Sequence, residues 1–326
     1  MKKRKSSKIN VFLLAFTVLF MCVSLALGYQ FIRLYKRNLH SKNINLGENY
    51  FLANHSDENS EKFEMLWNKL QCGADYKLVL EKIETTREFY GEDTKGQFLW
   101  VGQISTEVLP KASRVNVPLL AQHPELPNGC EIVSASMLLQ YLGFNVDPVD
   151  LADRYLKTQP VNIRSGVRYG PDPAVAYAGN PKSEAGGWGC FSPVIEDALK
   201  KFLPKGYEVF NLQGASLENL SLLLTKDIPV CIWVTQDYSP AKSVYQWLSY
   251  DETKTYLYPV GQHCVVLTGF DENYYYLNDP LKGEVVKVEK EKLEKCYRSM
   301  GYQAVTAISY SMYNIEENSG TREIKF

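Results

Sequence analysis

Residues 127–143 read PNGCEIVSASMLLQYLG. The Pro-Asn-Gly start predicts a turn, because these residues favour bends in the backbone. Apolar residues then recur at helical spacing, at Ile132, Ala135, Met137, Leu138 and Leu142. Gly143 is typical of the position directly after a helix. The stretch therefore predicts a helix over residues 131–142, with Cys130 at its start.

The position of Cys130 makes it a candidate nucleophile. A helix N-terminus presents unpaired N–H groups and a partial positive charge, which both favour thiolate over thiol. The alternative for an isolated cysteine is a small buried side chain with no chemical role. The preceding turn and the helix start favour the reactive thiol.

Two further helices are predicted on the C-terminal side. Asp147-Pro148 supplies an N-cap and a proline at the first helical position. Ser192-Pro193 does the same for a helix running to about Phe202. Residues 158–190 lie between them and hold many Gly, Pro and Ser without strong periodicity, which is typical of a functional or mobile stretch.

The second half of the chain predicts strands, at residues 207–212, 230–235, 264–270, 274–277, 284–288 and 304–310. Turn signals such as Asp271-Glu272-Asn273 and Asp279-Pro280 separate several of them. Helices that precede a run of strands indicate an α+β fold, with the helices packed on an antiparallel sheet.

His263 is the predicted general base. The chain has four histidines, and His40 and His55 fall in the N-terminal region outside the predicted catalytic domain. A thiol hydrolase needs an imidazole to accept the thiol proton, which leaves His123 and His263. His123 lies in the loop before Cys130, where a solvated side chain is expected, whereas His263 stands at the head of an apolar strand.

Asp279 is the predicted partner of that imidazole. If the strands on either side of residues 271–273 run antiparallel, Asp279 returns to the sheet edge where His263 begins. A carboxylate there would hold the imidazole in the right tautomer. Asn278 is the weaker candidate, because its side chain should point to the opposite face. The alternative is that Asp279 only starts an Asp-Pro turn.

Two further segments are candidates for the site. Gln122 lies shortly before Cys130, and its amide could stabilise an oxyanion together with the Cys130 N–H, although a loop glutamine is often only solvated. In Gly186-Gly187-Trp188-Gly189, the glycines would allow close approach of a peptide and Trp188 would offer an apolar wall. A tight surface turn is the alternative for that segment.

The N-terminus predicts a membrane anchor. A cluster of basic residues precedes an uncharged stretch over residues 9–29, which is long enough to cross a bilayer. The positive charges should stay in the cytoplasm as residues 1–8, which places the rest outside. A cleaved signal peptide is the alternative. Residues 30–110 are predicted as a stalk and helical extension, with helices through Phe63 to Leu70 and Leu80 to Tyr90, followed by a catalytic domain over residues 111–326.

The composition narrows the choice of function. With 326 residues and 45% hydrophobic residues, the chain can bury a full core. A net charge of −1 argues against a nucleic-acid partner. The seven cysteines are an odd number without a CxxC pair, so neither a disulfide framework nor a metal site is predicted, and no cofactor is expected.

The chain order Gln, Cys, His and Asp is similar to that of papain-like hydrolases. More closely, residues from about Val115 to Tyr310 resemble the C39-like peptidases, relatives of the peptidases that process bacteriocin leaders. The residues that carry the resemblance are Val117-Pro118, Gln122, Pro127 to Glu131, Gly143, Gly189, Gln262-His263, Gly269 to Asp271 and Asn278 to Pro280.

The resemblance implies a papain-like cysteine peptidase acting on a peptide or protein outside the membrane. It implies Gln122 as oxyanion donor, Cys130 as nucleophile, His263 as base and Asp279 as the orienting acid. Substrate contacts are expected from residues beside these groups, namely Gly129, Glu131, Gly187, Trp188 and Gln262. A cell-wall amidase, an acyl transferase using the same thiol and a non-catalytic surface binding module are the alternatives.

Overall fold

In a computed structural model, the described residues are 44–45, 76–82 and 98–104, as strands, and 110–313. The helices are α1 Cys130–Tyr141, α2 Pro148–Tyr155, α3 Ser192–Phe202, α4 Leu217–Leu224 and α5 Lys290–Ser299, and a 3-10 turn covers Ser311–Tyr313. The early and small strands are β1 Ile44–Asn45, β2 Tyr76–Lys82, β3 Phe98–Ile104, β4 Ser113–Arg114, β5 Thr158–Gln159, β6 Asn162–Arg164, β7 Val167–Tyr169, β8 Tyr177–Gly179 and β9 Gly187–Gly189. The later strands are β10 Tyr207–Asn211, β11 Val230–Thr235, β12 Ser243–Leu248, β13 Thr255–Pro259, β14 Gln262–Phe270, β15 Tyr274–Asp279, β16 Glu284–Glu289 and β17 Ala304–Ser309.

The core is built on a seven-stranded sheet in the order β10-β17-β11-β14-β15-β16, with β4 pairing the end of β14. All of these pairs are antiparallel. Both β11 and β14 are buried at every position, because helices and neighbouring strands cover them. Their near-continuous apolar sequence reflects this burial.

Helix α1 lies against β14 and β11 and is buried from Cys130 through Leu139. A helix that is buried all round needs its hydroxyls satisfied internally. Ser136 Oγ donates to the Ile132 carbonyl at 2.8 Å, and Ser134 Oγ donates to the Cys264 carbonyl at 3.1 Å. The second bond ties the helix to β14 one residue beyond His263.

Smaller sheets lie beside the core sheet. Strands β1, β12, β7 and β6 form one of them, with β13 paired to β12, and β5, β8 and β9 form another. Residues 158–190 therefore contain five short strands, where the sequence suggested an irregular stretch. These strands are only two or three residues long, too short for a periodic pattern to develop.

The predicted helices over 131–142, 148 onward and 192–202 are confirmed, as are the six predicted strands, with ends shifted by one to two residues. Asp147 caps α2 by accepting from the Val149 and Asp150 N–H groups at 2.7 and 3.2 Å. The predicted cap of α3 is wrong, because Ser192 is already the first helical residue and its hydroxyl bonds to Asn211 at 3.2 Å.

Sequence reasoning missed α4, α5, β12 and β13. It also placed a helix through Leu80, whereas residues 76–82 pair antiparallel with 98–104 as strands. Residues 78–80 read Leu-Val-Leu, a short apolar run whose periodicity does not separate a strand from a helix.

The predicted helix around residues 63–70, the rest of the helix after residue 82 and the predicted anchor at 9–29 lie outside the described residues. Within the described ranges, no helix has the length and apolar character that crossing a bilayer requires.

Candidate active site

Cys130 is the first residue of α1, and the turn before it is closely packed. The N–H of Gly129 bonds to the Leu126 carbonyl at 2.9 Å. A Cβ atom at Gly129 would lie 2.7 Å from the Leu126 Cβ, so the turn requires glycine there. The Cys130 side chain is only 6% exposed and interacts with the backbone of Cys264, which follows His263 in β14. The fold thus brings the thiol next to the strand that carries the predicted base.

Asn128 anchors the same turn to the neighbouring loop. Its N–H bonds to the Pro181 carbonyl at 3.1 Å, and its Nδ2 donates to the Ser183 carbonyl at 2.6 Å. The Tyr177 hydroxyl donates to the Asn128 carbonyl at 2.6 Å. These bonds hold the backbone that leads into Cys130 from both sides.

His263 and Asp279 form a buried pair, as the sequence predicts. Nε2 of His263 lies 2.7 Å from Oδ1 of Asp279, and the side chains are 1% and 0% exposed. Asn278 points to the other face, where its Nδ2 donates to the Val117 carbonyl at 3.0 Å. The side chain that contacts His263 is therefore that of Asp279, while the Asn278 side chain contacts the Val117 backbone.

Asp279 receives several further hydrogen bonds. The Tyr238 hydroxyl donates to its Oδ2 at 2.6 Å, and the Leu281 N–H donates to its Oδ1 at 2.9 Å. Burial acts to raise the pKa of Asp279, but His263, the Tyr238 hydroxyl and the Lys282 N–H outweigh it and lower the pKa to about 2. The carboxylate is therefore ionised and held in position against the imidazole.

Tyr238 was not predicted as a site residue. It lies in the loop after β11, distant in sequence from Asp279, and carries no local motif. Only the folded arrangement reveals its contact with the carboxylate.

Gln122 is bonded both to the turn before Cys130 and to the turn after Asp279. Its backbone N–H bonds to the Pro280 carbonyl at 2.8 Å, and its side-chain Nε2 donates to the Pro127 carbonyl at 2.6 Å. The side chain is buried, and its Oε1 has no hydrogen-bond partner among the described residues. The amide is thus held close to the turn that presents Cys130, with a second N–H still free of that bond.

Glu131 and Gln262 occupy a different environment from the one expected. Oε2 of Glu131 accepts the Cys130 thiol at 3.3 Å, and its Oε1 accepts the Cys190 N–H at 2.9 Å. Oε1 of Gln262 accepts the Tyr258 hydroxyl at 2.7 Å. Both side chains are buried, which favours support of the nucleophile over the predicted contact with substrate.

The environment of the thiol corrects the expectation that the helix start favours thiolate. Burial raises the pKa of Cys130 well above its ordinary value, and the Glu131 carboxylate raises it further. The backbone of Cys264 lowers it, but by less. Desolvation and the negative charge of Glu131 outweigh the effect of the helix terminus. The protonated thiol is therefore favoured while Glu131 is ionised.

The Gly187–Gly189 strand borders the nucleophile turn. A Cβ at Gly187 would lie 2.7 Å from the Asn128 Cβ. The Trp188 ring is half-buried and packs edge-on against Tyr245 at 4.7 Å, while the Arg168 guanidinium lies 5.2 Å from the Trp188 ring. Trp188 is thus part of an aromatic cluster beside the site.

The other residues considered from the sequence are His123, the remaining cysteines and possible metal ligands. His123 is exposed, as expected for a solvated loop residue. Within residues 110–313 the cysteines 130, 190, 231, 264 and 296 are all buried and free of disulfides. In the same part of the chain, no group of three or more His, Cys, Asp or Glu is arranged to hold a metal ion.

Comparison with known proteins shows the family to which the chain belongs. The sequence profile of the Peptidase_C39 like family matches residues 114–305. An uncharacterized Bacillus subtilis (strain 168) protein, YvpB, is 32% identical over 182 residues, which is 56% of this chain and 70% of YvpB. A crystal structure from Bacillus anthracis, assigned as a C39-like peptidase, shares 32% identity and a TM-score of 0.55 over 61% of this chain and 98% of its own. The chain belongs to the Peptidase_C39 like family.

Proposed function

We propose that the protein is a cysteine peptidase in which Cys130 attacks the carbonyl carbon of a peptide bond. The observation that carries this proposal is the buried His263–Asp279 pair at 2.7 Å, placed one residue from the backbone that the Cys130 thiol contacts. A histidine oriented by a carboxylate beside a thiol at a helix start is the arrangement that thiol hydrolysis requires.

The proton movements follow from the orientation of the ring. Because Nε2 of His263 bonds to Asp279, Nδ1 is the nitrogen that serves the thiol. The imidazole accepts the thiol proton, and the thiolate sulfur forms a bond to the carbonyl carbon. The imidazolium then donates its proton to the departing amine, which leaves a thioester that water hydrolyses. Asp279 stabilises the imidazolium in between.

The oxyanion that forms when the thiolate attacks the carbonyl needs hydrogen-bond donors close to Cys130. The Cys130 N–H belongs to the first turn of α1, where N–H groups have no helical acceptor. The second N–H of Gln122 Nε2 is the other candidate, because its first N–H is taken by the Pro127 carbonyl. Together they would stabilise the tetrahedral intermediate.

The test compares variants of the full-length protein in detergent on a peptide library, with products identified by mass spectrometry. Cys130→Ala and His263→Ala should abolish cleavage. Cys231→Ala removes another buried thiol, and His123→Ala removes an exposed histidine, so both controls should retain it. Cleavage that persists in the Cys130 or His263 variant would refute the mechanism.

Assays with further substrates show which class of bond the protein breaks. Release of peptides supports proteolysis, whereas release of fragments from purified peptidoglycan would indicate a wall amidase, and transfer to an added amine would indicate an acyl transferase. If no bond is broken and Cys130 reacts no faster than a free thiol at any pH from about 5 to about 9, the protein is a binding module.

We also propose that residues 9–29 anchor residues 111–326 outside the membrane. The support is the uncharged stretch behind the basic residues 2–5 and 8. Protease treatment of intact cells should remove the catalytic domain, which should otherwise sediment with membranes. A domain that stays protected in intact cells, or that is released into the medium, would contradict the proposal.

A further inference from the structure

The Glu131 carboxylate makes direct contact with the nucleophile, yet the proposed chemistry does not use it. Its Oε2 lies 3.3 Å from the Cys130 sulfur, and the side chain is 1% exposed. The Cys190 N–H holds the other oxygen at 2.9 Å. The carboxylate therefore cannot turn away from the thiol without losing a hydrogen bond in the core.

Gly189 shows how closely this carboxylate is enclosed. Its φ is +128°, and a Cβ there would lie 2.6 Å from Glu131 Oε1 and would collide with the Tyr258 hydroxyl. The backbone of β9 thus encloses Oε1, while the thiol contacts Oε2. A pocket built this tightly around a carboxyl group has no room for a solvating water shell.

No countercharge compensates the carboxylate within the described residues. Glu131 takes part in none of their ion pairs, which are formed by other residues. The titratable groups that face it are Cys130 on α1, Tyr177 on β8, Cys190 after β9, Tyr258 on β13 and Cys264 on β14. Burial raises the pKa of each of these five groups, so all are neutral near pH 7, and Gln262 adds a neutral amide.

Among the described residues, Asp279 is a second charged group that acts on the thiol, and it is paired with His263. Lys282 Nζ lies 3.9 Å from Asp279 Oδ2. The His263–Asp279 pair is neutral overall once the imidazole carries the thiol proton. The charge on Glu131 is then the one that decides whether a thiolate can form beside it.

We propose that Glu131 is a positioning residue that controls the ionisation of Cys130, so that the reactive thiolate–imidazolium pair forms when Glu131 is protonated and is suppressed when Glu131 is ionised. The proposal rests on Cys130 being the nucleophile. The ionised carboxylate accepts the S–H and repels a negative sulfur, whereas the protonated carboxyl can donate its O–H to the thiolate.

The direction of the pH effect follows. Burial is the main cause that raises the pKa of Glu131 to about 7, against smaller lowering by the Cys190 N–H and Gln262. Below that pH the neutral carboxyl permits the ion pair, and above it the charge suppresses it. Thiol reactivity should therefore fall as the pH rises through about 7, and rise again only when the thiol loses its proton to solvent.

The test is the rate of Cys130 alkylation by iodoacetamide, which is uncharged, measured from pH 5 to 9 by mass spectrometry of the Cys130 peptide. The wild-type rate should fall roughly tenfold or more between about pH 6 and about pH 8, the scale of a neighbouring like charge. Glu131→Gln should remove that fall and react faster near pH 8. Glu196→Gln, which changes another largely buried helical glutamate, should follow the wild type.

The wild-type profile tests the proposal even if the Glu131→Gln variant fails to fold. A rate that rises steadily from pH 5 to 9 would overturn it, and so would a falling limb that persists in folded Glu131→Gln. Alkylation needs no substrate. A chain that shows this profile but cleaves no peptide would therefore refute the proposed peptidase activity and leave the role of Glu131 standing.

Discussion

Nε2 of His263 and Oδ1 of Asp279 lie 2.7 Å apart, at a point where β14 begins and β15 ends. Because β14 and β15 are antiparallel neighbours, the start of one and the end of the other fall at the same edge of the sheet. The Asp279 carboxylate also accepts from Tyr238, which keeps it in place when the imidazole changes charge.

Replacing Asp279 by Asn should lower kcat by roughly 10²- to 10⁴-fold, the range that general acid–base catalysis contributes. The amide preserves shape but cannot stabilise the imidazolium by charge. Steady-state hydrolysis of a peptide found in the library screen measures this. Asp251→Asn, in an exposed turn, should leave kcat unchanged, and equal rates for both variants would show that the charge of Asp279 is not used.

Tyr238→Phe should destabilise the protein by about 1.5–3 kcal/mol, the contribution of a hydrogen bond to a charged group. The lost bond is the 2.6 Å contact with Asp279. Tyr276→Phe is the matched control, because its hydroxyl also donates to an aspartate at 2.6 Å, but this aspartate, Asp271, is only half-buried. That variant should lose less than about 1 kcal/mol. Urea unfolding measures the free energy of unfolding of both variants. Similar losses in the two variants would contradict the prediction.

The same variant should change the acid stability. The pKa of Asp279 is lowered to about 2, so its ionised form stabilises the fold above the unfolded pKa of about 3.9, and that stability is lost as the pH falls through about 2. Removing the Tyr238 donor raises the folded pKa, so the Tyr238→Phe variant should begin to lose this contribution at a higher pH. Unfolding free energies at a series of pH values between 2 and 5 test this, and superimposable acid limbs would rule it out.

Gln122→Ala should reduce kcat by about 10²- to 10³-fold, as expected for loss of one oxyanion donor. Gln140→Ala is a suitable control. The Gln140 Nε2 also donates to a backbone carbonyl, that of Val146 at 3.0 Å, but it lies at the far end of α1. Peptide hydrolysis and thermal unfolding of both variants separate catalysis from stability. If Gln122→Ala loses only stability, its amide is a structural support of the turn.

Gly189→Ala should lower the free energy of unfolding by roughly 2–4 kcal/mol, because the left-handed backbone and the collision with the Glu131 pocket add together. Gly206→Ala shares a positive φ, of +88°, but meets nothing within 4 Å. It should cost only about 1–2 kcal/mol for the backbone conformation. Equal losses in denaturant unfolding would mean that the pocket yields to the added methyl group.

Local sequence signals accounted for much of the structure of residues 110–313. The Pro-Asn-Gly turn before an apolar helix located Cys130, and the Asp147-Pro148 cap located α2. The alternation of neighbouring side chains also separated Asp279 from Asn278, since consecutive residues of a strand point to opposite faces.

Other elements left weaker signals. Helix α4 is buried at nearly every position, so it shows no polar face and no amphipathic stripe. Helix α5 does carry apolar residues at helical spacing, at Leu293, Cys296 and Tyr297, and could have been found. The β12–β13 hairpin was missed although its turn at residues 251–253 is polar.

Residue spacing and helix-capping signals extend over only a few residues. The sequence alone was therefore enough to predict Cys130, His263, Asp279 and Gln122 as candidate site residues. The ionisation of the thiol depends instead on burial and on groups from α1, β14 and β15 that meet only after folding. A helix start suggested a thiolate, while burial of the thiol, reinforced by the Glu131 carboxylate, reversed that expectation, because desolvation and charge are properties of the packed interior.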